Sequence, residues 1–137
     1  MLTRERVALL AFLVPLALVS MGCNRRPGEL QQIQQQRSGD YMVSLLSGTG
    51  LVKQHSNDLT LEIRNASTNE LTAINNLQIQ ASMSMPGMSP MFGTLSTPRQ
   101  VAAGRYDFDA DFGMAGRWNF VVTFDPNQRV QFNVSAQ

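Results

Sequence analysis

The sequence predicts an all-β chain, an immunoglobulin-like antiparallel β-sandwich of about seven strands over residues 40–137. Three observations predict it. Apolar residues recur with a period of two, the signature of strands with one buried face. Turn formers separate these runs at hairpin spacing. No stretch from Asp40 to Gln137 carries the 3.6-residue period of a useful amphipathic helix.

The strands follow in order. Tyr41, Val43 and Leu45 alternate with Met42 and Ser44, and Leu59, Leu61 and Ile63 alternate with Thr60, Glu62 and Arg64. Leu77, Ile79, Ala81 and Met83 alternate with Gln78, Gln80 and Ser82. A weaker strand is expected at either Phe92–Leu95 or Gln100–Ala103. The clearest alternation is Tyr106, Phe108, Ala110 and Phe112 against Asp107, Asp109 and Asp111. Trp118, Phe120, Val122 and Phe124 come next, then Val130, Phe132 and Val134. Between them lie Ser47-Gly48, Asn65 to Asn69, Pro86-Gly87, Ala103-Gly104, Gly113 to Gly116 and Asp125-Pro126-Asn127. Trp118 is expected at the centre of the core, and the aspartates on a solvated sheet face.

Ahead of the domain, Arg4 and Arg6 precede an uncharged apolar stretch, Val7 to Met21. It falls short of the ~20 residues a membrane-spanning helix needs and fits the h-region of a secretory signal peptide, residues 1–22. Ser20-Met21-Gly22-Cys23 resembles a bacterial lipobox, and Cys23 is the chain's single cysteine. Lipidation of Cys23 would place the protein outside the cytoplasm, lipid-anchored to a bacterial membrane on its periplasmic side or at the cell surface. An ordinary signal peptide with a coincidental cysteine, or a short uncleaved anchor, stays open as an alternative. Residues 24–39, polar and rich in glutamine, offer little apolar surface to offset the entropy of ordering. Residues 23–39 are therefore expected to be the lipidated cysteine and a flexible polar linker. A short exposed helix from Glu29 to Arg37 is the alternative.

Beyond residue 22, nine Lys and Arg balance nine Asp and Glu. With no basic stripe, nucleic acid is not expected as a partner. The domain has the length of one ordinary core-forming unit and is expected to be monomeric. No nucleophile–base set and no glycine-rich phosphate loop is present, so no enzymatic activity is expected.

The segment GRYDFDADFGMAGRWNFVVTF, Gly104 to Phe124, resembles the C-terminal half of YtkA-like domains, a group related to FixH-like proteins. These show a Gly-Arg-Tyr strand, a Met-x-Gly-x-Trp hairpin and an upstream Met-Pro-x-Met loop, which MPGMSPM at 85–91 matches here. The resemblance spans roughly residues 40–134. It implies an extracytoplasmic sandwich, often encoded beside copper-handling or oxidase-assembly proteins, and it implies no catalysis.

Residues 83–91, MSMPGMSPM, hold four methionines. Thioethers are soft, uncharged ligands that suit Cu(I), and Pro86 and Pro90 restrict the loop that carries them. Met83 and Met85 continue the inward phase of their strand and are expected to pack, leaving them secondary metal candidates. Met88 and Met91 lie beyond the Pro-Gly turn and are the primary ones. If every strand reverses direction, the connections at 47–57, 86–91 and 113–116 share one end. That end would gather Met88, Met91, Met114 and His55, the single histidine, as a copper site. Two further readings remain open. The loop could be a flexible apolar cap, or a docking patch for a membrane complex such as an oxidase or an efflux system. Asp107, Asp109 and Asp111 form a row that does not converge, as calcium's six to eight oxygens must.

Overall fold

The computed structural model describes residues 28–137. The expected signal peptide, Cys23 and the first residues of the expected linker lie outside the described residues. Ten strands are present: β1 (Gln31–Ser38), β2 (Tyr41–Ser47), β3 (His55–Asn65), β4 (Gln78–Met83), β5 (Met91–Phe92), β6 (Thr94–Leu95), β7 (Arg99–Ala102), β8 (Arg105–Phe112), β9 (Gly116–Phe124) and β10 (Gln128–Ala136). No helix occurs among the described residues.

Two antiparallel sheets form the sandwich. One runs β1-β2-β3-β8-β6, with β7 also paired to β8, and the other runs β10-β9-β4-β5. The alternating apolar residues face inward as strand pleating requires. Leu59, Leu61 and Ile63 from β3 meet Phe120, Val122, Phe132 and Val134 from the opposite sheet in one buried cluster. Trp118 is fully buried, with its ring 5.0 Å from Phe112, which also meets Phe120 nearly edge-on at 5.5 Å. Each such side chain contributes about 1.5–3 kcal/mol by leaving water. The expected solvated aspartates divide: Asp109 and Asp111 are exposed, while Asp107 is half-buried and accepts a 2.8 Å hydrogen bond from the Thr60 hydroxyl.

Two expectations change. The weak strand is not one of two choices, because the stretch holds three short pieces, β5, β6 and β7. The chain leaves the four-stranded sheet after β5, turns at Gly93, whose N–H donates to the Ala81 carbonyl, and joins the other sheet as β6.

The larger correction concerns the linker. Residues 31–38 are neither a flexible tether nor a helix: they form β1, antiparallel to β2 from Gln31↔Ser47 to Ser38↔Tyr41. The folded unit therefore begins at Gln31 rather than Asp40. A register shift between Gln32 and Gln34 leaves Ile33 as an extra, bulged residue, partly buried against the core. The polar side chains find specific partners. Gln34 Oε1 accepts the Asn133 N–H, the Ser38 hydroxyl accepts the Arg129 N–H, and Gln35 donates to the Ser44 hydroxyl. An open edge such as that of β10 is a template for unwanted pairing, and β1 covers it with amide and hydroxyl groups.

At the end remote from the methionines, residues 66–77 cross between the sheets. Tyr106 holds this crossover: its hydroxyl donates to the Ile74 carbonyl at 3.2 Å and accepts the Ile74 N–H at 3.1 Å. Gly104 makes the approach possible. Its carbonyl accepts the Ile63 N–H, and Thr72 N–H bonds the Ile63 carbonyl beside it. A side chain at Gly104 would collide with these backbone atoms, and its φ of +72° is one that residues with a Cβ rarely adopt.

Candidate functional site

Strand directions decide which loops meet. β2 ends, β3 begins, β8 ends, β9 begins and β4 ends at the same pole, as the registers Ser47↔Leu59, His55↔Phe112 and Ser82↔Asn119 show. The connections 48–54, 84–90 and 113–115 therefore share one end of the sandwich. β1 begins and β10 finishes there too, through Gln31↔Ser47 and Ala136↔Gly116.

The methionine loop opens with a tight turn in which the Met88 N–H donates to the Met85 carbonyl at 3.2 Å. Pro86 followed by Gly87 at a φ of +74° is the residue pattern of a type II turn. Met85 is half-buried against the core and Met83 is buried, as their strand phase predicts. Met88 is 66% exposed. Met91 departs from expectation. It is not a free loop residue, because it opens β5, pairs with Met83, and is partly buried against the core. Pairing to Met83 gives Met91 an inward phase that the intervening prolines conceal.

Met114 occupies the hairpin that joins the two sheets and is 38% exposed. Its carbonyl accepts the indole N–H of Trp118 at 3.0 Å, so the core tryptophan fixes the hairpin from below. A Cβ on Gly116 would lie 2.8 Å from the Met83 terminal methyl. The absence of a side chain there lets Met83 reach the base of the hairpin.

His55 stands exposed at the start of β3, directly across from Phe112, with a φ of +69°. Its turn is braced by Asn57, which accepts the Lys53 N–H and donates to the Lys53 and His55 carbonyls at 2.7–2.8 Å. The Gln54 side chain reaches the Gly113 carbonyl at 3.3 Å, tying this turn to the Met114 hairpin. The end therefore brings Met88, Met114 and His55 to the surface, with Met83, Met85 and Met91 packed beneath.

Among the described residues, no group of three or more His, Cys, Asp or Glu side chains could hold a metal ion. Ligation at this end would thus depend on thioethers. Sequence reasoning missed two residues here. Leu51 is 53% exposed in the 48–54 loop, and Phe92 is 61% exposed beside Met91. The signal for Leu51 was an apolar residue directly after Gly48-Thr49-Gly50; Phe92 gave none.

The motif residues have visible jobs. Gly104 permits the close backbone approach, Arg105 pairs with the buried Glu62, and Tyr106 holds the crossover. Met114, Gly116 and Trp118 build the hairpin. A family model described as YtkA-like matches residues 35–123, well over half the chain. The chain belongs to the YtkA-like family. Its match begins inside β1, in keeping with a YtkA-like domain that includes the glutamine-rich strand. No curated protein and no solved structure matches the chain.

Proposed function

We propose that this YtkA-like protein is an extracytoplasmic lipoprotein, anchored through Cys23, whose loop end binds Cu(I) and passes it on in metal handling or oxidase assembly. The observation that carries the reading is the presence of two exposed thioethers, Met88 and Met114, at the same pole as the lone imidazole, His55. Neutral sulfur and nitrogen donors match a soft monovalent ion and match hard ions poorly. The bonds from Asn57 and Trp118 keep two of the three loops in place, which lowers the entropy lost when donors converge on an ion. Met91, Met83 and Met85 serve as the packed base, with Met85 and Met91, each three residues from Met88, as reserve donors.

The test is competition for Cu(I) against a chromogenic chelator. Wild type should take copper from the chelator, and the Met88→Leu/Met114→Leu double variant should lose most of that capacity. Equal competition by the two proteins would defeat the proposal.

A second reading is supported by Leu51 and Phe92, which expose apolar surface that is no use to a metal. In it the same end docks on a membrane complex such as an oxidase or an efflux system. Leucine at positions 88 and 114 keeps size and apolarity, so docking would survive the double variant while copper binding would not.

A further inference from the structure

The described residues expose six large hydrophobic side chains: Leu30, Leu51, Met88, Phe92, Val101 and Met114. Five of them, all but Val101, lie at the methionine end, so the apolar surface is polarised along the long axis of the sandwich. The three loops at this end carry charge of one sign only. The loops 48–54, 84–90 and 113–115 contain no Asp or Glu; Lys53 lies in the first, and Arg117 follows the last by two residues. Glu29, ahead of β1, and Asp111, near the end of β8, are the nearest acids, with Asp58 and Asp109 farther along β3 and β8. The remote end carries both signs, with Asp40, Glu70 and Asp125 near Arg37, Arg64 and Arg129.

The path of the chain adds a third, independent fact. β1 enters the fold at the methionine end, because Gln31 pairs with Ser47. The eight-residue span from Cys23 to Gln31 reaches at most about 28 Å in any conformation. Nine-residue strands such as β9 and β10 set the remote turns about 30 Å farther off. Anchored at Cys23, the domain would keep its methionine end within about 28 Å of the membrane, while the remote turns could lie about 30 Å farther off.

We infer that the methionine end seats on the lipid surface itself, with Leu51, Met88, Phe92 and Met114 entering the interfacial layer and Lys53 and Arg117 facing anionic headgroups. This rests on the proposed anchoring at Cys23. The arrangement of the side chains favours lipid over a protein partner. Leu51 adjoins Val52, which bridges Ala136 of β10 at one edge of the four-stranded sheet, while Phe92 lies on β5 at the other edge, opposite Ser82. The apolar groups thus span the end from edge to edge, and a fluid surface contacts all of them at once. Interfacial binding of this kind combines modest apolar burial with attraction to anionic lipid. The site proposed for Cu(I) would then face the bilayer, so copper would be exchanged with a membrane-embedded protein.

The experiment uses the full-length lipidated chain in vesicles of phosphatidylethanolamine and phosphatidylglycerol containing nitroxide-labelled lipid. Lipidation consumes the Cys23 thiol, so M88C carries the single reactive site for a fluorophore. S67C, in an exposed turn at the remote end, is the control. The expected result is severalfold stronger lipid quenching of the M88C probe than of the S67C probe, reduced when Leu51→Asp is added. If the chain floats with the vesicles but M88C is quenched no more than S67C, anchoring stands and the seating on lipid is overturned. Unchanged quenching in the Leu51→Asp background overturns the apolar ring as the contact. A chain that fails to float overturns the anchoring, and this orientation with it.

Discussion

A methyl group added at Gly104 would fall 2.6 Å from both the Ile63 carbonyl oxygen and the Thr72 nitrogen. Neither atom can move without breaking the hydrogen bonds that join β3 to the crossover. Gly87 makes a clean comparison. Its φ of +74° is nearly the same as the +72° of Gly104, yet nothing lies within 4 Å of its would-be Cβ. Left-handed backbone alone costs a residue with a side chain about 1–2 kcal/mol, whereas overpacking adds about 1–3 kcal/mol. Gly87→Ala should therefore lower stability by about 1 kcal/mol, and Gly104→Ala by about 3 kcal/mol or more. Urea unfolding followed through Trp118 checks both values. Similar losses would mean that backbone conformation, rather than crowding, governs the Gly-Arg-Tyr position. Arg105 and Tyr106 act alongside, one bonded to Glu62 and the other to Ile74. The motif is thus explained by architecture, and the function has to be sought at the opposite end.

At the scale of elements, β1 separates two ideas of where the domain starts. A chain beginning at Asp40 would lose the pairing with β2, uncover the core beside Ile33, and strip Gln34 and Ser38 from the edge of β10. Compared with a chain beginning at Gly28, it should unfold at lower urea and self-associate through the uncovered strand edges. Light scattering and a denaturation curve are sufficient to see this. A monomer of unchanged midpoint would restore the linker reading.

How far a strand can be read from sequence depends on what holds it. Along β8, β9 and β10 the apolar residues point inward and the polar ones outward, Val121 excepted, so period two gave the elements directly. β1 has a single inward apolar residue, at a bulge, and is held by backbone pairing and side-chain amides. Neither leaves a mark in hydropathy. Met83 and Met85 were legible because they extend an existing phase. Met91 was not, since its phase is set by a partner across a Pro-containing turn. The shared pole of the three loops followed from strand reversal alone; Leu51 and Phe92 came to light only with their exposure.

Across the whole molecule, the methionines occupy graded environments, and chemistry can read that gradient with and without a metal. Sulfoxide formation follows access to the sulfur. Met88 and Met114 are exposed, Met42, Met85 and Met91 are half-buried, and Met83 is buried. Mild treatment with tert-butyl hydroperoxide, read by peptide mass spectrometry, should thus oxidise Met88 first, Met114 next and Met83 last. Ag(I) is a redox-inert substitute for Cu(I) with the same taste for thioethers. If the end ligates a soft ion, Ag(I) should protect Met88 and Met114 severalfold and leave Met42, on β2, unaffected. A lipid surface gives a different pattern, because it would shield Met88 and Met114 without any metal, and only in the anchored chain. Protection that requires silver argues for ligation, and protection that requires vesicles argues for seating. Equal oxidation of Met88 under every condition would leave this pole without either role.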